Sequence, residues 1–322
     1  MKVLITGRIP DEGVRILGDE FDLTVNEKDR PMERERLIEL IADKDGLLCM
    51  LNDRVDEELL ENAPNLKMIA SYAVGFDNID IGAATRRKIP VSNNPDVLTD
   101  ATADLAFALI LAVSRRVVEG DRVLREEGFH EWAPQYFLGR DVSGKTLGIV
   151  GFGRIGKAVA KRARGFGMKV IYFSRRRLDI SEERNRNVQY GELKKLLSEA
   201  DYITLHVPLT QKTRHLIGGN ELKLMKKSAY LINTSRGPVV DEQALVRNLQ
   251  DGNIAGAGLD VYENEPTLSP GLKEVKNTVL LPHVGSATIE TRTNMALQAS
   301  ENLIAGLRGQ KPPNCLNWDA LQ

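Results

Sequence analysis

Short apolar runs bounded by turn residues alternate with charged amphipathic segments almost throughout the chain, a pattern that predicts an α/β protein built on mainly parallel sheets. Five runs come first: "KVLITG" from Lys2, "FDLTV" from Phe21, "GLLCML" from Gly46, "KMIASY" from Lys67 and "IPVSN" from Ile89. Segments such as "PMERERLIELIAD" (Pro31 to Asp43) separate them with helical spacing. Thr99 to Glu127 reads as one long helix with Thr99 or Asp100 as its cap. An aromatic-rich stretch, "FHEWAPQYFLGRDVSG", follows Gly128. Six further strands are predicted from Thr146 onward: "TLGIVG", "KVIYFS", "YITLHVP", "AYLINTS", "GAGLDVY" and "TVLLPH". A final helix is predicted from Glu290 to Leu307.

The glycine turn near residue 150 sits too far into the chain to open the only domain, and the last helix has no further strand to feed. Together these predict an inserted nucleotide domain, residues 99–286, within a discontinuous outer domain, residues 1–98 and 287–322. Both would be Rossmann-like doubly wound units, with a cleft between them. The length of 322 residues favours two cores over one.

Charge narrows the partners. There are 44 basic and 45 acidic residues, a net charge of −1, which gives nucleic acid or a membrane surface no electrostatic handle. Cys49 and Cys315 match no metal or redox spacing and read as two reduced thiols of a cytoplasmic protein. No run is long and apolar enough for a signal peptide or a membrane span.

Gly151, Gly153 and Gly156 form GxGxxG after an apolar strand and before the helical "RIGKAVAKRA", the context a dinucleotide site requires. The first glycine permits the tight turn, the second lets a pyrophosphate approach, and the third lets helix pack on strand. Amides of Arg154 and Ile155 would meet the phosphate at the positive helix end. Some twenty residues on, NAD-binding proteins place an acid for the adenine ribose. This chain has Ser174, Arg175, Arg176 and Arg177 there. A carboxylate would repel a 2′-phosphate, whereas a hydroxyl and guanidiniums would hold one, so NADP(H) is the expected cofactor and NAD(H) the alternative. Arg177 reads as part of a solvated basic loop.

Ligands of an open parallel sheet bind outside the carboxyl ends of its strands. In order those ends carry the Gly151 turn, Ser174, His206 with Pro208, Thr234-Ser235-Arg236, Asp260 and His283. Hydride transfer to a 2-keto acid needs an arginine for the carboxylate, a histidine as proton donor and a carboxylate beside the histidine. Arg236, Glu265 and His283 supply the set. Singly each has a duller reading: Arg236 as a helix cap, Glu265 on a solvated loop, His283 as a packed loop residue. His130 and His215 read as surface or structural. No cluster has metal-ligand spacing, so no metal is expected.

The blocks "SYAVGFDNID", "TADLAFALILAVSRR", "GKTLGIVGFGRIG", "HVPLTQKTRHLI", "LINTSRGPVVDEQAL", "GAGLDVYENEP" and "LLPHVGSAT" together resemble the D-isomer-specific 2-hydroxyacid dehydrogenases over nearly the whole chain. The resemblance implies a flavodoxin-like outer domain, a homodimer joined through the region from Ser114 to Arg140, and Arg236, Glu265 and His283 as the catalytic three. It implies that Val74 and Gly75 offer amides to the substrate carboxylate, with Leu51 covering the pocket and Trp132 reaching it across the dimer. Packing in the core and in the interface are the alternatives for these last two. Asp260 would contact the nicotinamide amide. Thr102, Thr213 and Gly285 would join the cofactor contacts. Within the family the chain looks most like the glyoxylate and hydroxypyruvate reductases, which implies NADPH-dependent reduction of small 2-keto acids to glycolate and D-glycerate. A bulkier keto acid, or a nucleotide-sensing corepressor role on the same fold, are the competing expectations.

Overall fold

The front of the chain supplies β1 (Lys2–Ile5), α1 (Asp11–Gly18), β2 (Asp22–Val25), α2 (Arg34–Ile41), β3 (Gly46–Cys49), α3 (Glu57–Glu61), β4 (Met68–Ser71), α4 (Ile81–Arg86) and β5 (Val91–Ser92). These belong to a computed structural model that describes every residue except Asp29 and His130. The five strands pair in parallel in the order β2-β1-β3-β4-β5. β3 and β4 are buried on both faces, which is why they read as unbroken apolar runs.

The next stretch forms α5 (Thr99–Ser114), α6 (Val117–Glu127), β6 (Thr146–Val150), α7 (Arg154–Gly165), β7 (Lys169–Phe173), α8 (Ile180–Arg186), β8 (Val188–Tyr190), α9 (Leu193–Glu199), β9 (Tyr202–Leu205), α10 (Gly219–Leu224), β10 (Tyr230–Asn233), α11 (Glu242–Gln250), β11 (Gly256–Leu259) and β12 (Thr278–Leu280). Its sheet runs β12-β11-β10-β9-β6-β7-β8, all parallel. This is the 3-2-1-4-5-6 order of a dinucleotide fold with one strand added at the far edge, and the order reverses between β6 and β9. The sequence reading expected six strands here; there are seven. β8 escaped it because three residues, one of them buried, are too few to show alternation.

Contacts divide the chain into one unit of Met1–Leu98 with Ser286–Gln322 and another of Thr99–Gly285. In the first, α12 (Ile289–Leu307) packs on α1, β3 and β4. Tyr72 donates its hydroxyl to Arg292 O at 2.7 Å, and Asn94 donates to Met295 O at 2.8 Å. Separate apolar clusters fill the unit of Thr99–Gly285, one around Leu196, Leu205 and Leu231 and one around Phe107, Leu147 and Tyr172. Each fully buried Leu or Ile in them contributes about 1.5–3 kcal/mol against solvent exposure.

The expected single helix from Thr99 to Glu127 is two helices. Ser114 turns its hydroxyl back to Ile110 O at 2.6 Å, and its carbonyl accepts the Arg140 amide at 2.8 Å. Arg116 then takes φ +55°, which ends one helix axis and starts another. The Arg116 guanidinium lies 4.0 Å from the centre of the Phe137 ring and pairs with Glu119 at 2.7 Å.

Asn317 ties the end of the chain to β5. It is 6% exposed, accepts the Val91 amide at 2.9 Å, and donates to Thr85 Oγ1 at 2.9 Å and Ile89 O at 3.0 Å. Asn317→Ala leaves buried backbone groups unpaired and should lower stability by about 1–3 kcal/mol. A urea denaturation midpoint equal to the parent's would refute this.

Candidate active site

The carboxyl ends of β6, β7 and β9 to β12 gather the polar residues of the Thr99–Gly285 unit. Gly151 leaves β6 with φ +99°, and a Cβ there would strike the His206 carbonyl at 2.5 Å. A Cβ on Gly156 would meet Gly151 O at 2.2 Å. Gly153 has nothing within 4 Å of a Cβ position and no side chain caps α7, so the helix start is open to a ligand.

After β12, His283 takes φ +54°, and its Nδ1 lies 2.8 Å from Glu265 Oε2. Glu265 Oε1 accepts the Tyr262 amide at 2.9 Å. Burial pushes the Glu265 carboxyl up, but the His283 hydrogen bond and charge, the Tyr262 amide and the nearby Arg236 guanidinium outweigh it and hold the group below its ordinary range. Glu265 is therefore a carboxylate, and by accepting a hydrogen bond from His283 Nδ1–H it leaves Nε2 for another partner. Arg236 follows β10 in extended backbone and donates Nη1 to Ser235 O at 3.0 Å.

Three features bring these loops together. Asn233, 1% exposed, donates to Arg236 O at 3.0 Å and accepts both the amide and hydroxyl of Ser235 at 3.1 and 2.8 Å. Gly237 lies so close to the next loop that a Cβ would fall 1.8 Å from the Tyr262 carbonyl. Asp260 is 1% exposed and accepts the amides of Val284 at 2.7 Å and Gly285 at 2.8 Å, pinning the segment that carries His283. Burial raises the Asp260 carboxyl despite these two amides. Asn233, Gly237 and Tyr262 were not singled out from the sequence. Asn233 stands beside the residues that were, and only the paired loops show what it does.

The ribose-side loop divides. Ser174 donates its hydroxyl to Arg176 O at 2.9 Å, while the Arg175 and Arg176 side chains are exposed and make no hydrogen bond or ion pair among the described residues. Arg177 is exposed, as expected of a solvated loop, and also braces that loop. Its Nε and Nη2 reach both oxygens of buried Glu183 at 2.8 and 2.9 Å, and its guanidinium lies 5.4 Å from the centre of the Tyr190 ring. At the ends of β9 and β10, His206 Nδ1 and Thr234 Oγ1 are buried and find no partner. Buried polar atoms are rarely left so, which fits groups waiting for a ligand. Thr213 spends its hydroxyl on its own turn, donating to Pro208 O at 2.6 Å and accepting the Thr210 amide at 2.8 Å. Thr102 is buried in α5; a Cβ on Gly285 would lie 3.7 Å from its hydroxyl.

In the other unit, Leu51 follows β3 and is 37% exposed, while Val74 and Gly75 follow β4 and are half-buried. Val74 O accepts Asn93 Nδ2 at 2.7 Å. Trp132 is 77% exposed. His130 lies outside the described residues. Among the described residues no group of His, Cys, Asp or Glu could hold a metal ion, and no helix is long and apolar enough to cross a membrane.

Residues 107–285 match the D-isomer specific 2-hydroxyacid dehydrogenase NAD binding domain. The chain is 53% identical to a glyoxylate reductase of Thermococcus litoralis over 99% of its own length and 98% of that protein's. The chain belongs to the D-isomer specific 2-hydroxyacid dehydrogenase family. A solved protein of Thermus thermophilus superposes with a TM-score of 0.92 at 44% identity, covering 98% of this chain and all of that one. An NADPH-dependent glyoxylate/hydroxypyruvate reductase of Sinorhizobium meliloti, solved with NADP and malonate, gives a TM-score of 0.86 at 31% identity over 98% of this chain and 96% of that one. This dehydrogenase is accordingly an NAD(P)-dependent oxidoreductase acting on a CH–OH group. The open turn at Gly153 and the two unpartnered atoms fit its nicotinamide cofactor.

Burial pushes the His206 imidazole down to about 3 from an ordinary 6.5. An unfolded chain takes up this proton as pH falls through 6.5, and the folded dehydrogenase only near about 3, so the stability present above 6.5 is lost on acidification across that window. His206→Gln should lose less of its neutral-pH stability in acid than the parent. Equal losses in thermal melts would count against this account.

Proposed function

We propose that this dehydrogenase is an NADPH-preferring reductase of small 2-keto acids, glyoxylate and hydroxypyruvate first. The observation that carries the reading is the His283–Glu265 pair at 2.8 Å, with Arg236 near enough to bias the Glu265 charge. The glyoxylate-reducing relatives support the substrate class.

Arg236 binds the substrate carboxylate and draws charge from the ketone oxygen. By the family resemblance, backbone amides of Val74 and Gly75 also meet the substrate carboxylate, Leu51 covers the pocket, and Trp132 reaches it across the dimer. Held by its pyrophosphate at the glycine turn, the reduced cofactor would supply the hydride from the C–H bond of its nicotinamide ring. His283 delivers the Nε2 proton to the carbonyl oxygen as hydride reaches the carbon, so one C–H and one O–H bond form and the C=O π bond is lost. Glu265 accepts the hydrogen bond of the Nδ1–H, which stays on the imidazole throughout, and so fixes Nε2 as the nitrogen that donates. Asp260 keeps His283 in place by its two backbone contacts, and its carboxylate takes the nicotinamide amide.

Residues 99–286 form the dinucleotide domain in this reading, and residues 1–98 with 287–322 the substrate domain. The amides of Arg154 and Ile155 receive the pyrophosphate; Thr102, Thr213, Thr234 and Gly285 line the cofactor with His206, Pro208 and Ser235. Ser174, Arg175 and Arg176 hold the 2′-phosphate of NADPH. Support comes from their side: Arg177 is committed to Glu183, and no acid stands there to repel a phosphate. The protein acts as a cytoplasmic homodimer. The exposed apolar residues Val117, Val118, Leu124, Phe129, Trp132, Tyr136 and Leu138 fall in one stretch, as an interface would require.

Two variants test separate links. Arg236→Ala should lower kcat/KM for glyoxylate and hydroxypyruvate by roughly 10²–10³-fold, the loss typical of removing one transition-state donor. Full activity would sink the carboxylate clamp. Ser174→Asp with Arg175→Ala should move the cofactor preference toward NADH by about tenfold or more, since a charge-assisted hydrogen bond contributes about 1.5–3 kcal/mol. An unchanged ratio would place the phosphate elsewhere.

A further inference from the structure

Glu263 stands two residues before Glu265, is 17% exposed, and is held from two other parts of the fold. Its Oε1 lies 2.5 Å from His215 Nε2 and 3.9 Å from the Arg214 guanidinium. Its Oε2 accepts the amide of Glu242, at the start of α11, at 3.2 Å. The backbone presents His215 for this contact: its φ is +50°, uncommon outside glycine, and its amide donates to Pro238 O at 2.8 Å. Pro238 follows Gly237, whose missing side chain lets that turn touch Tyr262 and Glu263.

The far end of the same loop is fastened in kind. Glu242, 3% exposed, accepts the Ser269 amide at 3.2 Å, and Asn264 bridges Thr267 between the two anchors. Glu265 therefore sits in the middle of a loop tied down by two carboxylates, Glu263 and Glu242, neither of which is needed for the chemistry.

We propose that His215 and Glu263 form a positioning pair that holds the Tyr262–Glu265 segment so that Glu265 meets His283. The inference rests on the roles given above to Glu265 and His283. His215 touches no reacting atom; it acts through Glu263 and the backbone. The titratable or charged groups facing Glu263 are His215 and Arg214. Those facing Glu265 are His283 and Arg236, with Asp260 and Tyr262 close enough to feel its charge.

The test is the pH profile of glyoxylate reduction by NADPH for the parent, His215→Ala, His215→Gln, Glu263→Gln and Glu265→Gln. His215→Ala and Glu263→Gln should each lower kcat about tenfold, within the range that a displacement of about 1 Å can cost. The KM for NADPH should change less than about twofold, because only transition-state alignment is lost. The alkaline limb of kcat, where the proton donor fails, should move to lower pH. His215→Gln keeps a donor nitrogen and should recover most of the rate. An unchanged kcat and pH profile in both His215→Ala and Glu263→Gln would overturn the inference. So would a loss that appears wholly in KM, or one that His215→Gln fails to relieve. Glu265→Gln separates the two claims. Full activity there sinks the role of Glu265 and this inference with it, whereas a large loss there beside intact His215 and Glu263 variants sinks the inference alone.

Discussion

The carboxylate of Glu265 is the contact on which the site depends. One oxygen takes the Tyr262 amide and the other the His283 ring, so a single side chain joins the loop after β11 to the loop after β12. The Glu265 carboxylate is only partly desolvated, and its hydrogen bonds to His283 and to the Tyr262 amide offset that desolvation and keep it charged. The pairing costs close approach elsewhere. Gly237 is the residue that permits it, since any side chain would overlap the Tyr262 carbonyl, and Asp260 completes it by fixing the backbone on the other flank of His283.

The same logic orders the cofactor end of the sheet. Strand order reverses between β6 and β9, where Gly151 packs against the His206 backbone while Gly153, at the start of α7, stays open. Polar atoms that a closed core would have paired, His206 Nδ1 and Thr234 Oγ1, remain single at that edge. On the ribose side, Glu183 takes Arg177 and the Tyr172 hydroxyl, which steadies the loop from beneath and leaves Arg175 and Arg176 facing solvent. A rigid loop presenting unpaired guanidiniums loses little conformational entropy when an anion arrives.

Much of this was legible in the sequence because parallel strands buried on both faces leave continuous apolar runs, and the residue ending each run is where a ligand meets the sheet. That rule singled out Ser174, His206, Thr234 to Arg236, Asp260 and His283, and each does follow a strand of the parallel sheet. It could not find β8, whose three residues carry no period, nor the break at Ser114, where a side chain turned back on its own helix lets a distant amide take the carbonyl. Arg177 read as a solvated loop residue, and only the fold brings Glu183 to it. His215 read only as surface or structural for the same reason: its partner, Glu263, lies forty-eight positions on, and pairings at such separation leave no local signal.

As proposed above, the strand ends of the dinucleotide unit assemble a reductase matched to a phosphorylated nicotinamide cofactor. The most direct measurement is the kcat/KM of the unaltered protein for glyoxylate with saturating NADPH and with saturating NADH. The account predicts turnover with both and a preference for NADPH of about tenfold or more, the value of one charge-assisted contact to the 2′-phosphate. Equal or better turnover with NADH, or no turnover with either, would contradict it.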